Sequence, residues 1–171
     1  MFDIVTDSAC DLTPETVRQL GLTVVPFYVS TDGEHYLKEG QEIAVRDFYQ
    51  FMVDHPGTLP KTSLPSLEDF EKVFREKAAA GRETLCLCFT GKMSGGVGSA
   101  RNARELVLEN YPQAVIEVVD TAAATVSEAA TVLNAAAMRD AGCSLTETLT
   151  WLAGTRPTNQ IFFTVGNLDY L

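Results

Sequence analysis

The segment Lys92-Met93-Ser94-Gly95-Gly96-Val97-Gly98-Ser99 brings together the groups that hold an anion. Glycine lets the backbone approach a ligand with no Cβ in the way. Val97, Ala100, Ala103, Leu106 and Val107 follow at helical spacing, and the start of a helix offers unpaired N–H groups and a partial positive charge. Ser94 adds a hydroxyl. The chemistry this points to is capture of a carboxylate or a phosphate. The same residues also make an ordinary helix cap, and the segment alone leaves both open. Three more polar stretches leave or flank apolar runs: Thr6-Asp7-Ser8, Lys61-Thr62-Ser63 and Asp120-Thr121. In an open parallel sheet, ligands bind outside the carboxyl ends of the strands, where the first and last of these fall. Thr62-Ser63, ahead of Leu64-Pro65, also fits a turn satisfied by its own hydroxyls.

Catalytic motifs fit less well. A Walker A loop ends in Gly-Lys-Ser/Thr, which Gly91 to Gly98 lacks, and the dinucleotide fingerprint G-x-G-x-x-G is absent. The nucleophile elbow G-x-S-x-G nearly matches around Ser94, with Lys92 in place of its first glycine. A serine hydrolase also needs a histidine base, and His35 and His55 both fall in or near expected surface turns. Asp3 and Asp7 are spaced D-x-x-x-D, not the D-x-D of aspartyl-phosphate enzymes. An enzyme using Ser94 as nucleophile or Asp7 in phosphoryl transfer remains one alternative. A binding module for a small phosphate or sugar acid, with a compact polar pocket, is another. No catalytic residue and no metal ligand is assigned.

The elements that must position these residues alternate between strand and helix. Phe2–Val5, Thr23–Val29, Leu85–Phe89 and Val115–Val119 read as strands, and Ile161–Val165 as a last one. Thr13 with Pro14 opens a helix that Gly21 ends. Thr31-Asp32-Gly33 is a turn, with a short return strand over Glu34–Leu37. Val45, Phe48, Phe51 and Met52 mark a helix, and 58–65 is read as loop. Ser66 with Asp69, and Ser144 with Glu147, look like capping pairs of two further helices. Val126, Ala129, Ala130, Leu133 and Ala137 mark a long helix ending at Gly142. Strands separated by helices imply an α/β fold with a mostly parallel, Rossmann-like sheet flanked by helices.

Composition narrows the partners. The 171 residues are 46% hydrophobic, enough for one core, and carry a net charge of −10 with a pI near 4.6. That field repels nucleic acid and anionic membranes, so neither is an expected partner. No apolar run reaches membrane-spanning length, and the amino end carries acid where a leader would carry base. A cytoplasmic protein is expected, and not an integral membrane protein. Cys10, Cys86, Cys88 and Cys143 read as reduced thiols, with Cys86 and Cys88 expected on opposite faces of a strand.

Taken in order, Thr6-Asp7-Ser8 with Asp11-Leu12, Val25-Pro26, Pro60-Lys61-Thr62-Ser63-Leu64-Pro65-Ser66, Ser94-Gly95 and Val119-Asp120-Thr121 resemble the DegV family of bacterial fatty-acid-binding proteins. Phe163 to Leu171 resembles the family's stretch ahead of a Lys-Gly-Gly-Arg motif. The resemblance implies the N-terminal α/β domain of a two-domain fold, with an acyl chain buried between the domains. Some members carry the fatty acid for a separate ATP-dependent fatty acid kinase subunit. It further implies that Thr62 and Ser94 bond the carboxylate and Gly95 offers a backbone N–H, with Asp7, Ser8 and Ser63 as supporting neighbours. The expected ligand is thus a long-chain fatty acid, with no other cofactor. Gly96 stands where the family usually has threonine, Thr121 where it has serine, and Ser127-Glu128-Ala129-Ala130 where a glycine-rich stretch often follows. Residues 1–157 are expected to form the DegV-type domain, and 158–171 to begin a second one that is otherwise missing, as if the chain were cut inside a larger protein.

Overall fold

The structure, a computed structural model, describes residues 1–162 and 164. Strand β1 (Asp3–Asp7) runs into a 3-10 turn (Ser8–Cys10) and helix α1 (Pro14–Gln19). Thr13 caps α1 by accepting from the Thr16 N–H at 3.2 Å, and Pro14 follows where a missing N–H costs nothing. Gly21 ends the helix at φ 58°, the left-handed conformation that glycine adopts without steric cost. β2 (Thr23–Val25), β6 (Thr84–Cys88) and β7 (Ile116–Asp120) complete a parallel sheet of order β2-β1-β6-β7. Val5 sits beside Thr23 on one side and Cys86 on the other, and Cys86 pairs onward with Val118.

Helices cover both faces, so the central strands are apolar along their length. Alternation divides them. Val5, Cys86 and Cys88 face α3 (Leu67–Ala79) and α4 (Gly96–Asn110), meeting Phe70, Phe74, Ala100 and Ala103. Ile4, Leu85 and Leu87 face α5 (Thr125–Asp140) and α6 (Leu145–Thr155), meeting Val132, Ala135, Ala136 and Leu152. Each large buried side chain contributes about 1.5–3 kcal/mol. Ser66 and Ser144 make full capping boxes with Asp69 and Glu147, as their spacing requires.

A second sheet, of order β4-β3-β5, is antiparallel and contains β3 (Tyr28–Ser30), β4 (Leu37–Lys38) and β5 (Lys61–Ser63). Here the structure departs from the sequence-based expectation. The run Thr23–Val29 is two strands, broken at Pro26, whose missing N–H cannot serve a ladder. The return strand lies at Leu37–Lys38 and not at Glu34–Leu37, pairing Tyr28 with Lys38. The stretch 58–65 is not all loop. Lys61–Ser63 pairs with β3, Val29 opposite Thr62, although all its residues are exposed and none shows apolar alternation. Cys86 and Cys88 lie on the same face, their sulfurs 3.6 Å apart, because residues two apart on a strand point the same way. Ile161, Phe162 and Thr164 lie in no strand, and the rest of that expected strand, Phe163 and Val165, lies outside the described residues. The expected boundary at 157 falls in a 3-10 turn, Arg156–Thr158, and the proposed start of a second domain lies mostly outside the described residues. No helix among the described residues is long and apolar enough to cross a membrane.

Candidate ligand-binding site

The carboxyl ends of β1 and β6, the start of α4 and the strand β5 converge on one corner of the molecule. Asp7 is the last residue of β1 and is fully buried. Its Oδ2 accepts from the Phe89 N–H at 2.8 Å and its Oδ1 from the Ala9 N–H at 3.2 Å. One carboxylate thus ties the end of β6 to the turn after β1. Burial pushes the Asp7 carboxyl above the usual range, against the opposing effect of those two N–H groups. Ser8 is spent within the protein: it accepts from the Phe27 N–H at 2.9 Å and donates to Glu39 Oε2 at 2.6 Å.

Beyond Phe89 the chain turns sharply. The N–H groups of Met93 and Ser94 both bond the Thr90 carbonyl, at 3.1 and 3.3 Å. Ser94 Oγ accepts from the Gly96 N–H at 3.2 Å, which leaves its own proton free to donate. Gly95 stands at the N-cap of α4 and brings no capping side chain of its own, the Gly96 N–H being taken by Ser94 Oγ. A Cβ added at Gly95 would meet Leu64 Cδ2 at 3.3 Å, and one at Gly96 would meet Pro65 Cδ at 3.8 Å. The chain just after β5 therefore packs on the Ser94–Gly96 turn. Thr62 and Ser63, both exposed on β5, stand a few residues from that contact. Among the expected residues, Ser94 and Gly95 meet the chain at Leu64 and Pro65, just past Thr62 and Ser63, while Asp7 and Ser8 bond within the protein. Leu64 and Met93 are exposed apolar residues bordering it, at 37% and 61%.

The small sheet that carries Thr62 is anchored to α3 by Asp69. Its Oδ1 receives Lys38 Nζ at 2.6 Å, and its Oδ2 receives Tyr28 OH and Ser66 Oγ, each at 2.6 Å. Burial pulls this carboxyl up, but Lys38, Ser66 and Tyr28 outweigh it and hold it at about 2. The β7 end is tied in by Thr121, whose Oγ1 donates to the Cys88 carbonyl at 2.8 Å, so the hydroxyl that threonine shares with serine is the part in use.

Among the described residues, the groups named for the catalytic alternatives stand apart from one another. Asp3 lies at the other end of β1 from Asp7, paired with Arg82 at 2.6 Å and Lys77 at 3.2 Å. Asp7 has no exposed surface from which to attack. His35 is exposed against Asp32, and His55 is exposed against Phe51. Neither is paired with Ser94. Among the described residues no group of three or more His, Cys, Asp or Glu is arranged to hold a metal. Two surface concavities lie elsewhere, one around Tyr111 and Arg82 and one around Asp120, Arg101 and Arg156, and neither is lined by the expected ligand residues.

Sequence reasoning missed Glu128, which is fully buried and bonded by Thr6 Oγ1 at 3.3 Å. A signal existed. Glu128, Val132, Ala135 and Ala136 are spaced as one helical face, and that face is buried.

Comparison with known proteins agrees with this architecture. The family described as "uncharacterised protein, DegV family" matches residues 1–171. A DegV domain-containing protein of Streptococcus pyogenes serotype M1 is 37% identical over 170 residues, which is 99% of this chain and 59% of that protein. The crystal structure of a stearic acid-binding protein from Eubacterium ventriosum is 42% identical with a TM-score of 0.87, over 90% of this chain and 52% of that one. A DegV family protein from Thermus thermophilus, solved for its fatty acid binding, is 36% identical with a TM-score of 0.76, over 91% and 53%. The chain thus spans a little over half the length of these relatives. Its sequence, along its whole length, belongs to the DegV family.

Proposed function

We propose that this chain supplies one wall of a site for a long-chain fatty acid. Thr62 and Ser94 hydroxyls and the Gly95 N–H hold the carboxylate, while Asp7, Ser8 and Ser63 support them. The observation that carries this is the packing of Leu64 on Gly95, which joins the Thr62 strand to the open start of α4. Relatives with the same fold and 36–42% identity bind fatty acids. In a chain of the relatives' length the ligand's head would be offered to a separate ATP-dependent kinase subunit, as the family resemblance implies. The chain itself is then a carrier and not an enzyme.

Magnitudes divide the labour. An acyl tail gains about 0.8 kcal/mol per buried methylene, so it dominates affinity. Each charge-assisted hydrogen bond to the head adds about 1.5–3 kcal/mol and fixes its orientation. Native mass spectrometry with stearate and oleate tests the assignment, on this chain and on one extended to the relatives' length. A stoichiometric adduct lost on denaturation is expected. Thr62→Ala and Ser94→Ala should each weaken it roughly tenfold. Unchanged retention in both variants would remove these hydroxyls from the site, and no adduct on the extended chain would end the fatty-acid assignment.

A further inference from the structure

We propose that Glu128 is a positioning residue of this site, an un-ionised acid that donates its proton to Asp7 and thereby fixes the carboxylate on which the Ser94 turn is hung.

The geometry leaves few other choices. Glu128 has no exposed surface, and its Oε2 meets no N–H or O–H donor among the described residues. Its Oε1 receives the Thr6 hydroxyl at 3.3 Å. The charged group acting most strongly on it is the Asp7 carboxyl, one residue beyond the Thr6 that bonds it. Two carboxyl groups bond each other only through a proton. An ionised Glu128 would bury a bare oxygen beside a second negative charge, which is the costliest arrangement available. A neutral Glu128 resolves both faults: Oε1 is the carbonyl oxygen that accepts from Thr6, and Oε2–H is the donor to Asp7.

The proton sits on Glu128 and not on Asp7 because Asp7 already accepts two backbone N–H groups, from Phe89 and Ala9, which favour its charged form. Glu128 receives only the distant Thr6 hydroxyl. Burial first, then the Asp7 charge and Cys88, push the Glu128 carboxyl well above the usual range. The other titratable groups facing the pair do not compete for the proton. Burial drives the Cys10 thiol up to about 12, and its bond with Cys86 together with burial raises Cys88. Glu39 acts on Asp7 from the small sheet and raises it further.

The link to the ligand is short. Glu128 holds Asp7, Asp7 holds the Phe89 N–H, and the residues after Phe89 form the turn that ends in Ser94 and Gly95. A neutral Glu128 also keeps one negative charge away from the place where a carboxylate is to bind. This functional half rests on the fatty-acid reading, while the protonation state stands without it.

Two measurements on the same purified protein test the two halves. The first is carbon-13 NMR of the side-chain carboxyls, with Glu128→Gln used to assign the Glu128 signal. Glu128 is expected to keep the shift of a carboxylic acid at pH 7 and not to titrate between pH 4 and 8. A signal that ionises near pH 4 to 5 would overturn the proposal. The second is oleate retention in Glu128→Gln and Glu128→Ala, on the chain extended to the relatives' length. Gln keeps a side-chain donor for Asp7 and is expected to hold oleate within about threefold of the parent, whereas Ala, which leaves Asp7 only its two backbone donors, should lose about tenfold. Equal retention in both variants would refute the positioning role. Failure of the parent protein to bind oleate would end the fatty-acid reading and the positioning role with it, while the NMR result would still decide the protonation state.

Discussion

Asp69 and Glu128 are both carboxyl groups drawn into the protein, and they are accommodated in opposite ways. Asp69 lies at the seam between α3 and the small sheet, where Lys38, Tyr28 and Ser66 each reach it at 2.6 Å. It stays charged, held down at about 2. Glu128 lies under the parallel sheet, with no ion pair and one oxygen without a donor among the described residues. It stays neutral. The price of burying a carboxyl is thus met by pairing where the surroundings are half-wet and by protonation where they are dry. The difference follows from construction. The small sheet is an exposed appendage with room for a lysine, whereas α5 packs against the sheet on a face of Val132, Ala135 and Ala136 that leaves none.

The two acids should therefore respond differently to the loss of their charge or proton. The largest loss of stability from a substitution is expected at Asp69. Asp69→Ala removes a capping box, the Lys38 pair and the Tyr28 bond together, and should destabilise the chain by about 2–4 kcal/mol in chemical denaturation. A loss under about 0.5 kcal/mol would show that the small sheet is not anchored there. The pH dependence has a definite sign. Asp69 titrates below its unfolded value, so its contribution is complete above about pH 4 and fades as pH falls toward 2.

Glu128 should give the reverse sign. Its folded pKa is raised, so its favourable contribution is complete below the unfolded value, near pH 4, and is lost as pH rises. At pH 8 the unfolded chain releases a proton that the folded one must keep. Glu128→Gln has no such proton to hold, and should gain on the parent by about 1.4 kcal/mol for each pH unit above the unfolded value, with no difference at pH 4. Thermal unfolding at the two pH values checks this. A variant that is less stable at pH 8 than the parent would mean that Glu128 is charged in the fold.

What was legible in the sequence follows the same division. The parallel sheet was readable because both faces are covered, so its strands appear as continuous apolar runs such as Leu85–Cys88. The caps at Thr13, Ser66 and Ser144 were readable because capping is a local transaction. The small sheet was not. Lys61-Thr62-Ser63 has no apolar alternation, and it becomes a strand only because β3 offers it a free edge. The site was legible in part. Thr62, Ser94 and Gly95 stood out through motif resemblance and the chemistry of a helix start, but the packing of Leu64 on Gly95 is a long-range contact that leaves no local mark. Glu128 was hidden because the apolar spacing of Val126, Ala129, Ala130, Leu133 and Ala137 marks another face of α5, on which Val126 and Leu133 are exposed, whereas the buried face is the one it shares with Val132 and Ala136.

A third acid sharpens the contrast, with the smallest expected effect. Asp120 ends β7, and it is treated in an intermediate way: Oδ1 accepts from the Ala122 N–H at 2.8 Å, while Arg156 stands 3.5 Å from Oδ2. Its Oδ2 lies 3.0 Å from where a Cβ would be at Gly91, so only a glycine leaves that oxygen its place. Gly91→Ala should push the carboxylate outward, weaken its bond to Ala122 and cost about 0.5–1.5 kcal/mol. The double variant with Asp120→Ala separates this from a general backbone effect. If the clash with Asp120 is the cause, removing that side chain should cancel most of the Gly91→Ala cost in a double-mutant cycle. If the two costs simply add, the glycine serves the turn itself, and Asp120 is held by its neighbours in β7 without help from the Ser94 loop.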